Sequence, residues 1–275
     1  MSKLSKRQYL QQKGQQTLSV DRFKNGESFP EQDNIAVETP VAFVYNGISH
    51  AVMLATPDCL QEFALGFSLS EGIVDNAADV RDIEVESSDQ GQVLNIQISN
   101  EAAFKLKQHR RNLTGRTGCG LCGTEALEHA IQSIRRVQHT TQAKADAIIS
   151  ALQNLKLHQP LQNITGSVHG AAWSNLNGNI QLCREDVGRH NALDKLLGAC
   201  VNANINLTEG FAVISSRASY EMIQKAGRCG ISIVVAVSAP TTLAIDIAEH
   251  ANMMLCGFAR DGQFVIYSHK ERLAP

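Results

Sequence analysis

Phe211-Ala212-Val213-Ile214 and Ile231-Ser232-Ile233-Val234-Val235-Ala236-Val237 decide the fold of this chain. Both runs are short, almost wholly apolar and rich in β-branched residues, so they read as strands buried on both faces. Helical spacing follows each of them, over 219–228 and 241–250, and a further strand is expected at 254–259. This alternation predicts a layered α/β domain with parallel pairing. Working back from it, a helix is expected over 189–200. Before that come a strand pair at 171–174 and 179–184 turned at Asn177-Gly178, and a helix over 143–155.

The chain reads differently before about 137–142. Residues 41–45 and 48–55 flank Asn46-Gly47, a strong hairpin signal. Thr56-Pro57-Asp58 then reads as a helix start, with Thr56 as N-cap and Pro57 in the first turn, and the helix stops at Gly72. Residues 82–87 and 93–99 form a second expected hairpin. A short helix from Glu101 runs into Lys105, Lys107, His109, Arg110 and Arg111, which reads as a solvated face or a docking surface for a partner. Residues 1–34 are polar and show no sustained period. The expected organisation is therefore a loosely held polar arm over 1–34, a smaller α+β domain over 35–138 with a Gly-rich CxxC loop at 114–123, and an α/β domain over 139–275.

Composition narrows the class. Of 275 residues, 43% are hydrophobic and 19% charged, enough for a sizeable core in a soluble protein. Twenty-five basic residues against 27 acidic ones leave a formal charge of −2, so no global field draws in nucleic acid. The longest apolar runs are too short to span a bilayer, and residues 1–16 lack the apolar centre of an export signal. Seven cysteines without such a signal argue against a disulfide framework, and a cytoplasmic protein is expected.

For chemistry the most informative stretch is Gly118-Cys119-Gly120-Leu121-Cys122-Gly123. Its glycines let backbone N–H groups approach a ligand or partner closely. A structural zinc knuckle needs two more ligands at matched spacing. Cys59, Cys183, Cys200, Cys229 and Cys256 stand alone, so no zinc or other metal is expected. A thioredoxin-like pair follows a strand and opens a helix of a βαβ unit, whereas this pair follows a basic helix and a glycine loop. A sulfur carrier fits better: one thiolate takes the terminal sulfur of a donor persulfide, and a second cysteine can resolve it. Arg110, Arg111, Arg116 and the start of a following helix, expected over 125–135 with Thr124 as its cap, favour the thiolate.

This loop resembles the active loop of the formate dehydrogenase accessory sulfur-carrier family, FdhD. The resemblance continues in Thr165-Gly166-Ser167-Val168-His169-Gly170-Ala171 and in Glu185-Asp186-Val187-Gly188-Arg189-His190-Asn191-Ala192-Leu193-Asp194-Lys195. It extends through Ser215-Ser216-Arg217-Ala218-Ser219, Ser238-Ala239-Pro240-Thr241 and Gly257-Phe258-Ala259-Arg260, so that it covers about 114–263. It implies a sulfurtransferase that accepts sulfur from a cysteine desulfurase. The sulfur passes to the molybdenum cofactor, bis(molybdopterin guanine dinucleotide), without which formate dehydrogenase is inactive. By this resemblance Cys119 bears the persulfide and Cys122 is its partner. Phe258, Ala259, Arg260, Asp261, Gly262 and Gln263 match the cofactor-binding stretch, with guanosine diphosphate (GDP) as a mimic of the cofactor. The resemblance also implies a cytoplasmic homodimer.

The C-terminal element order is similar to the cytidine-deaminase architecture, a three-layer fold. Zinc deaminases open one helix with H-x-E and the next with P-C-x-x-C. Here the corresponding helices open with His190-Asn191-Ala192 and Ser215-Ser216-Arg217-Ala218-Ser219, so the acid/base Glu and both cysteine ligands are absent. The fold is expected without the zinc and without that activity.

Ser215, Ser216, Arg217, Ser238 and Thr241 lie at strand-to-helix junctions, where free N–H groups bind anions and where open α/β sheets place ligands. Arg217 and Arg260 suit bidentate pairing with phosphate, and Asp261 suits the donors of a guanine edge. Plain capping explains the junction residues equally well, and it explains Thr241 by itself. Arg189, His190 and Asp194 also read as a surface network of little worth, and His169 as a satisfied buried histidine. Two other functions stay open: a cofactor-binding chaperone without cysteine chemistry, and a dithiol redox switch.

Overall fold

The computed structural model describes residues 14–114 and 136–275. The cysteine pair, the glycine loop around it and the helix expected over 125–135 lie outside the described residues. The chain begins with a ribbon of β1 (Gln15–Lys24) and β2 (Glu27–Ala36), paired antiparallel from Gln15↔Ala36 to Lys24↔Glu27. Asn25-Gly26 makes its turn with φ angles of 55° and 90°, the left-handed pair that these two residues tolerate. The expectation of a loose arm is corrected for residues 15–34. Both strands are largely exposed, so burial imposes no apolar alternation on their sequence, and the turn dipeptide is the one local sign of the ribbon.

A four-stranded sheet follows, built from β3 (Thr39–Tyr45), β4 (Ile48–Ala55), β5 (Val80–Ser88) and β6 (Gly91–Ile98) in the order β4-β3-β6-β5. Helices α1 (Leu60–Ser70) and α2 (Asn100–Thr114) contribute to its core. There Phe43, Phe63, Phe67, Leu94 and Ile96 pack together, and the Phe43 and Phe63 rings meet edge to face at 5.0 Å. Each fully buried side chain of this size is worth roughly 1.5–3 kcal/mol. Thr56 is not the cap of α1. The helix starts behind Cys59, which has a left-handed φ of 50° and makes no side-chain cap bond. Thr56 is engaged elsewhere, by Asp186.

After β7 (Ala143–Lys144) come α3 (Ala145–Leu155) and α4 (Pro160–Thr165), then β8 (His169–Asn175), β9 (Ile180–Asp186) and α5 (Arg189–Asn202). The chain continues through β10 (Gly210–Ile214), α6 (Tyr220–Arg228), β11 (Ile233–Ala236) and α7 (Thr242–His250). It ends with β12 (Met254–Arg260), β13 (Gln263–Ser268) and β14 (Leu273–Ala274), which pairs back with β7. Six of these strands form one sheet in the order β13-β12-β11-β10-β8-β9, with β10, β11 and β12 parallel and the remaining pairings antiparallel. On one face Leu193, Leu196, Met222, Ile223 and Ala244 of α5, α6 and α7 pack against Ala212, Ile214 and Val234. On the other, Ile148 and Ala151 of α3 pack against Phe211, Val213 and Val235. Cover on both faces is why β10 and β11 are apolar at consecutive positions. Helix α4 and strand β13 were not expected from the sequence.

The two sheets are joined where α1 crosses α5. A Cβ at Gly66 would overlap the Asp194 carbonyl oxygen, and one at Gly198 would overlap that of Glu62. Buried polar groups flank the crossing. Lys195 Nζ lies 2.7 Å from Asp58 Oδ1, 2.7 Å from Asp186 Oδ2 and 2.7 Å from the Thr56 hydroxyl. The Thr56 and Gly188 N–H groups and the Asn191 amide donate to Asp186 at 3.0, 2.8 and 2.9 Å. In a second cluster Lys225 Nζ donates to Asp194 at 2.9 Å and meets Glu71 at 2.6 Å, while Ser70 donates to Asp194 at 2.6 Å. Burial opposes the charge on Lys225, yet Asp194 and Glu71 outweigh it and raise its pKa. Asp194 is thus no part of a surface network: both it and Lys195 are fully buried.

Candidate binding cleft

A cleft of about 1050 Å³ opens at the carboxyl ends of β10, β11 and β12. Ser215 and Val237 mark the first two strand ends, and Ala259, Arg260, Asp261 and Gly262 come from the β12–β13 hairpin. Its other wall is built by residues between Leu152 and Asn163 and by the segment from Gly166 to His169 that leads into β8.

Local sequence explains this second wall. Pro160 occupies the first turn of α4, where a missing N–H costs nothing. Glu185 reaches across to accept the N–H groups of Leu161 and Gln162 at 2.9 and 2.7 Å, although burial pushes its own pKa up. Gly166 ends α4 with a left-handed φ of 68°, and Gln162 Oε1 accepts the Val168 N–H at 2.9 Å, which fixes the turn towards His169. His169 is half-buried, and burial together with Arg189 holds its pKa below the ordinary histidine value. Across the cleft, Ser215 Oγ accepts the Gly170 N–H at 2.9 Å.

Of the residues expected to bind cofactor, Ser215, Ala259, Arg260, Asp261 and Gly262 line this cleft. Ser216, Arg217, Ser238, Thr241, Phe258 and Gln263 are not among its lining residues. Ser216 is buried and bonds the Arg217 carbonyl, and Arg217 is exposed. Thr241 acts as the N-cap of α7, accepting the Ala244 N–H at 3.3 Å. The Ser238 carbonyl accepts the Phe258 N–H at 3.1 Å, and Phe258 points outward from an irregularity in β12 with a left-handed φ of 48°. Asp261-Gly262 forms the two-residue turn of the hairpin, with φ angles of 54° and 76°. That turn accounts for the dipeptide before any ligand is considered.

The sequence reading gave no binding role to Lys156, Gln159, Gln162 or Gly166. Pro160 and Gly166 do supply a helix start and stop that point to α4. Nothing local marks Gln159, which is 5% exposed and whose side-chain Nε2 finds no partner.

The whole architecture has a counterpart among solved structures. A crystal structure from Desulfotalea psychrophila, described as a putative formate dehydrogenase accessory protein, matches 94% of this chain and 99% of that one with a TM-score of 0.75. At 22% identity the match shows the fold alone. In sequence, residues 36–274 match the model of the FdhD/NarQ family. The chain belongs to the FdhD/NarQ family. A relative from Xanthomonas euvesicatoria named sulfur carrier protein FdhD is 53% identical over 94% of this chain and 92% of its own length. Another of the same name, from Cupriavidus necator, is 50% identical over 94% of this chain and 89% of its own.

In this FdhD/NarQ chain five of the seven cysteines are described, and all five are held as thiols. Cys59 is exposed at the surface, yet partial desolvation of its thiol, with Asp58 and Glu62 adding to the shift, takes it up to about 11. Burial pushes Cys183, Cys200, Cys229 and Cys256 up to about 12. A thiol so far above neutral pH supplies almost no thiolate. Among the described residues no group of three or more His, Cys, Asp or Glu side chains is placed to hold a metal ion. No described helix is long and apolar enough to cross a membrane.

Proposed function

We propose that this chain is a sulfur carrier for formate dehydrogenase maturation, and that Cys119 carries the sulfur with Cys122 as its partner. The observation that carries this reading is the placement of the other five cysteines: burial raises the pKa of Cys183, Cys200, Cys229 and Cys256, and Cys59 lies beside Asp58 and Glu62, so the glycine-flanked pair is left for thiolate chemistry. The relatives' name as sulfur carriers supports it. The Cys119 thiolate attacks the terminal sulfur of a desulfurase persulfide, a new S–S bond forms, and the desulfurase cysteine leaves as a thiolate. The sulfane sulfur moves without an external oxidant.

The recipient in this reading is the molybdenum of bis(molybdopterin guanine dinucleotide), bound as substrate before it enters formate dehydrogenase. The cleft is large enough for a nucleotide, and Arg260, Lys156 and Ser215 line one space where phosphates or a base can be held. The same reading places the protein in the cytoplasm as a homodimer.

Intact-protein mass after incubation with a cysteine desulfurase and cysteine tests the carrier role. One sulfur atom should be gained, removable by reductant and lost in Cys119→Ala. Retention of the adduct in a Cys119→Ala/Cys122→Ala double variant would refute the reading. A Cys119→Ala protein that still activates formate dehydrogenase in cells would favour a chaperone that only holds the cofactor.

A further inference from the structure

We infer that Gln159 is a ligand-binding residue of the cleft, its amide turning from the buried place it holds without ligand to donate an N–H to an oxygen acceptor of the bound dinucleotide; this rests on the cleft reading above. Gln159 is 5% exposed, and its Nε2 lies out of reach of solvent without a hydrogen-bond partner. Buried donors are almost always paired, because losing water without gaining an acceptor is costly. The groups around it are satisfied. The Gln159 backbone N–H donates to the Lys156 carbonyl at 3.3 Å, and its carbonyl accepts the Asn163 N–H at 3.0 Å. The neighbouring Gln162 amide oxygen is used by Val168. Among the described residues that line the cleft, the Gln159 side-chain nitrogen alone is both buried and unpaired.

A Cβ at Gly170 would overlap Gln159 Nε2, so the glycine leaves room for the amide against the start of β8. Gly170 in turn donates its N–H to Ser215 Oγ, which leaves the serine hydrogen free to donate. Gly170 thus adjoins the Gln159 amide and bonds the Ser215 hydroxyl, and Ser215, Lys156 and Arg260 line the same cleft. A surplus of donors selects a ligand group rich in oxygen acceptors. A guanine dinucleotide offers two such groups, its phosphates and its base carbonyl.

Calorimetric titration of the full-length protein with GDP, guanosine and inorganic pyrophosphate tests the inference. Wild type should bind GDP, and Gln159→Leu should bind it about tenfold or more weakly. The ligand-free variant should melt at the same temperature or higher, since an unpaired buried donor has been removed; a merely structural glutamine would show the reverse pattern. A loss shared by pyrophosphate places the acceptor on phosphate, and a loss shared by guanosine alone places it on the base. If Gln159→Leu fails to fold, the isosteric Gln159→Glu decides, because it exchanges the donor for an acceptor and should also lose affinity. Equal GDP affinity in wild type and the folded variant overturns the inference and leaves the cleft reading standing. No GDP binding to wild type at millimolar concentration overturns both.

Discussion

Lys195 and Asp186 meet at 2.7 Å with neither side chain exposed to water, and they lie on α5 and at the end of β9 beside the crossing of α1. Their partners Thr56 and Asp58 belong to the segment that leads into α1, so the pair ties the two sheets together. Removing one member leaves an uncompensated buried charge. Lys195→Met should lower the unfolding free energy by about 3–5 kcal/mol, measured by urea denaturation. The double variant Lys195→Met/Asp186→Leu should recover part of that loss, because the unpaired carboxylate goes with it.

Gly198→Ala should destabilise the protein although alanine is the better helix former. The added methyl meets the Glu62 carbonyl, backbone that cannot rotate away, so α1 and α5 must separate. A loss of at least about 1–3 kcal/mol is expected by denaturant unfolding, the range for overpacking a tight interface. Alanine at Gly230, where the space is open, provides the comparison; only the backbone strain of its φ of 82° should count there.

Arg260→Ala should weaken GDP binding about tenfold, because it removes a charge-assisted contact of roughly 1.5–3 kcal/mol. Arg217→Ala should leave the affinity unchanged, since Arg217 is not among the residues lining the cleft. The two variants remove the same formal charge, so titration of both separates a local contact from a general electrostatic effect.

His169 should make stability depend on pH in one direction. Burial and then Arg189 hold its pKa below the ordinary 6.5, so as pH falls the unfolded chain takes up this proton before the folded protein does. The contribution is complete above the unfolded value and is lost as pH falls through the interval below it. Asp186 opposes the shift and belongs to the same surroundings. Between about pH 7.5 and 5.5 the thermal midpoint of wild type should therefore fall further than that of His169→Gln. An equal fall in both proteins would place the pH dependence on other groups.

What could be read from the sequence followed burial. Strands β10 and β11 are covered on both faces, and their apolar runs announced a layered α/β arrangement. The turn at Asn46-Gly47 was readable because Val41, Phe43 and Tyr45 alternate towards a core, whereas the same dipeptide at 25–26 joins strands with no such core beneath them. Thr56 misled for a different reason. Thr-Pro-Asp carries a local helix-start signal, but Thr56 is held by Asp186 and Lys195, 130 or more residues away, as well as by Asp58, and the long-range pairing leaves no mark in local spacing. In the cleft, Ser215 and 259–262 were readable as strand ends and a hairpin turn. Gln159 was not, since an unpaired amide can be recognised only once every neighbouring group has found its partner.

The glycine crossing of α1 and α5 also governs how the two larger sheets can move against one another. Two bodies joined by a slack hinge can fold onto one another and hand a group across the gap. Backbone that touches at Gly66 and Gly198, clamped by buried charge, gives no such swing. The described body is one anvil rather than a pair of jaws.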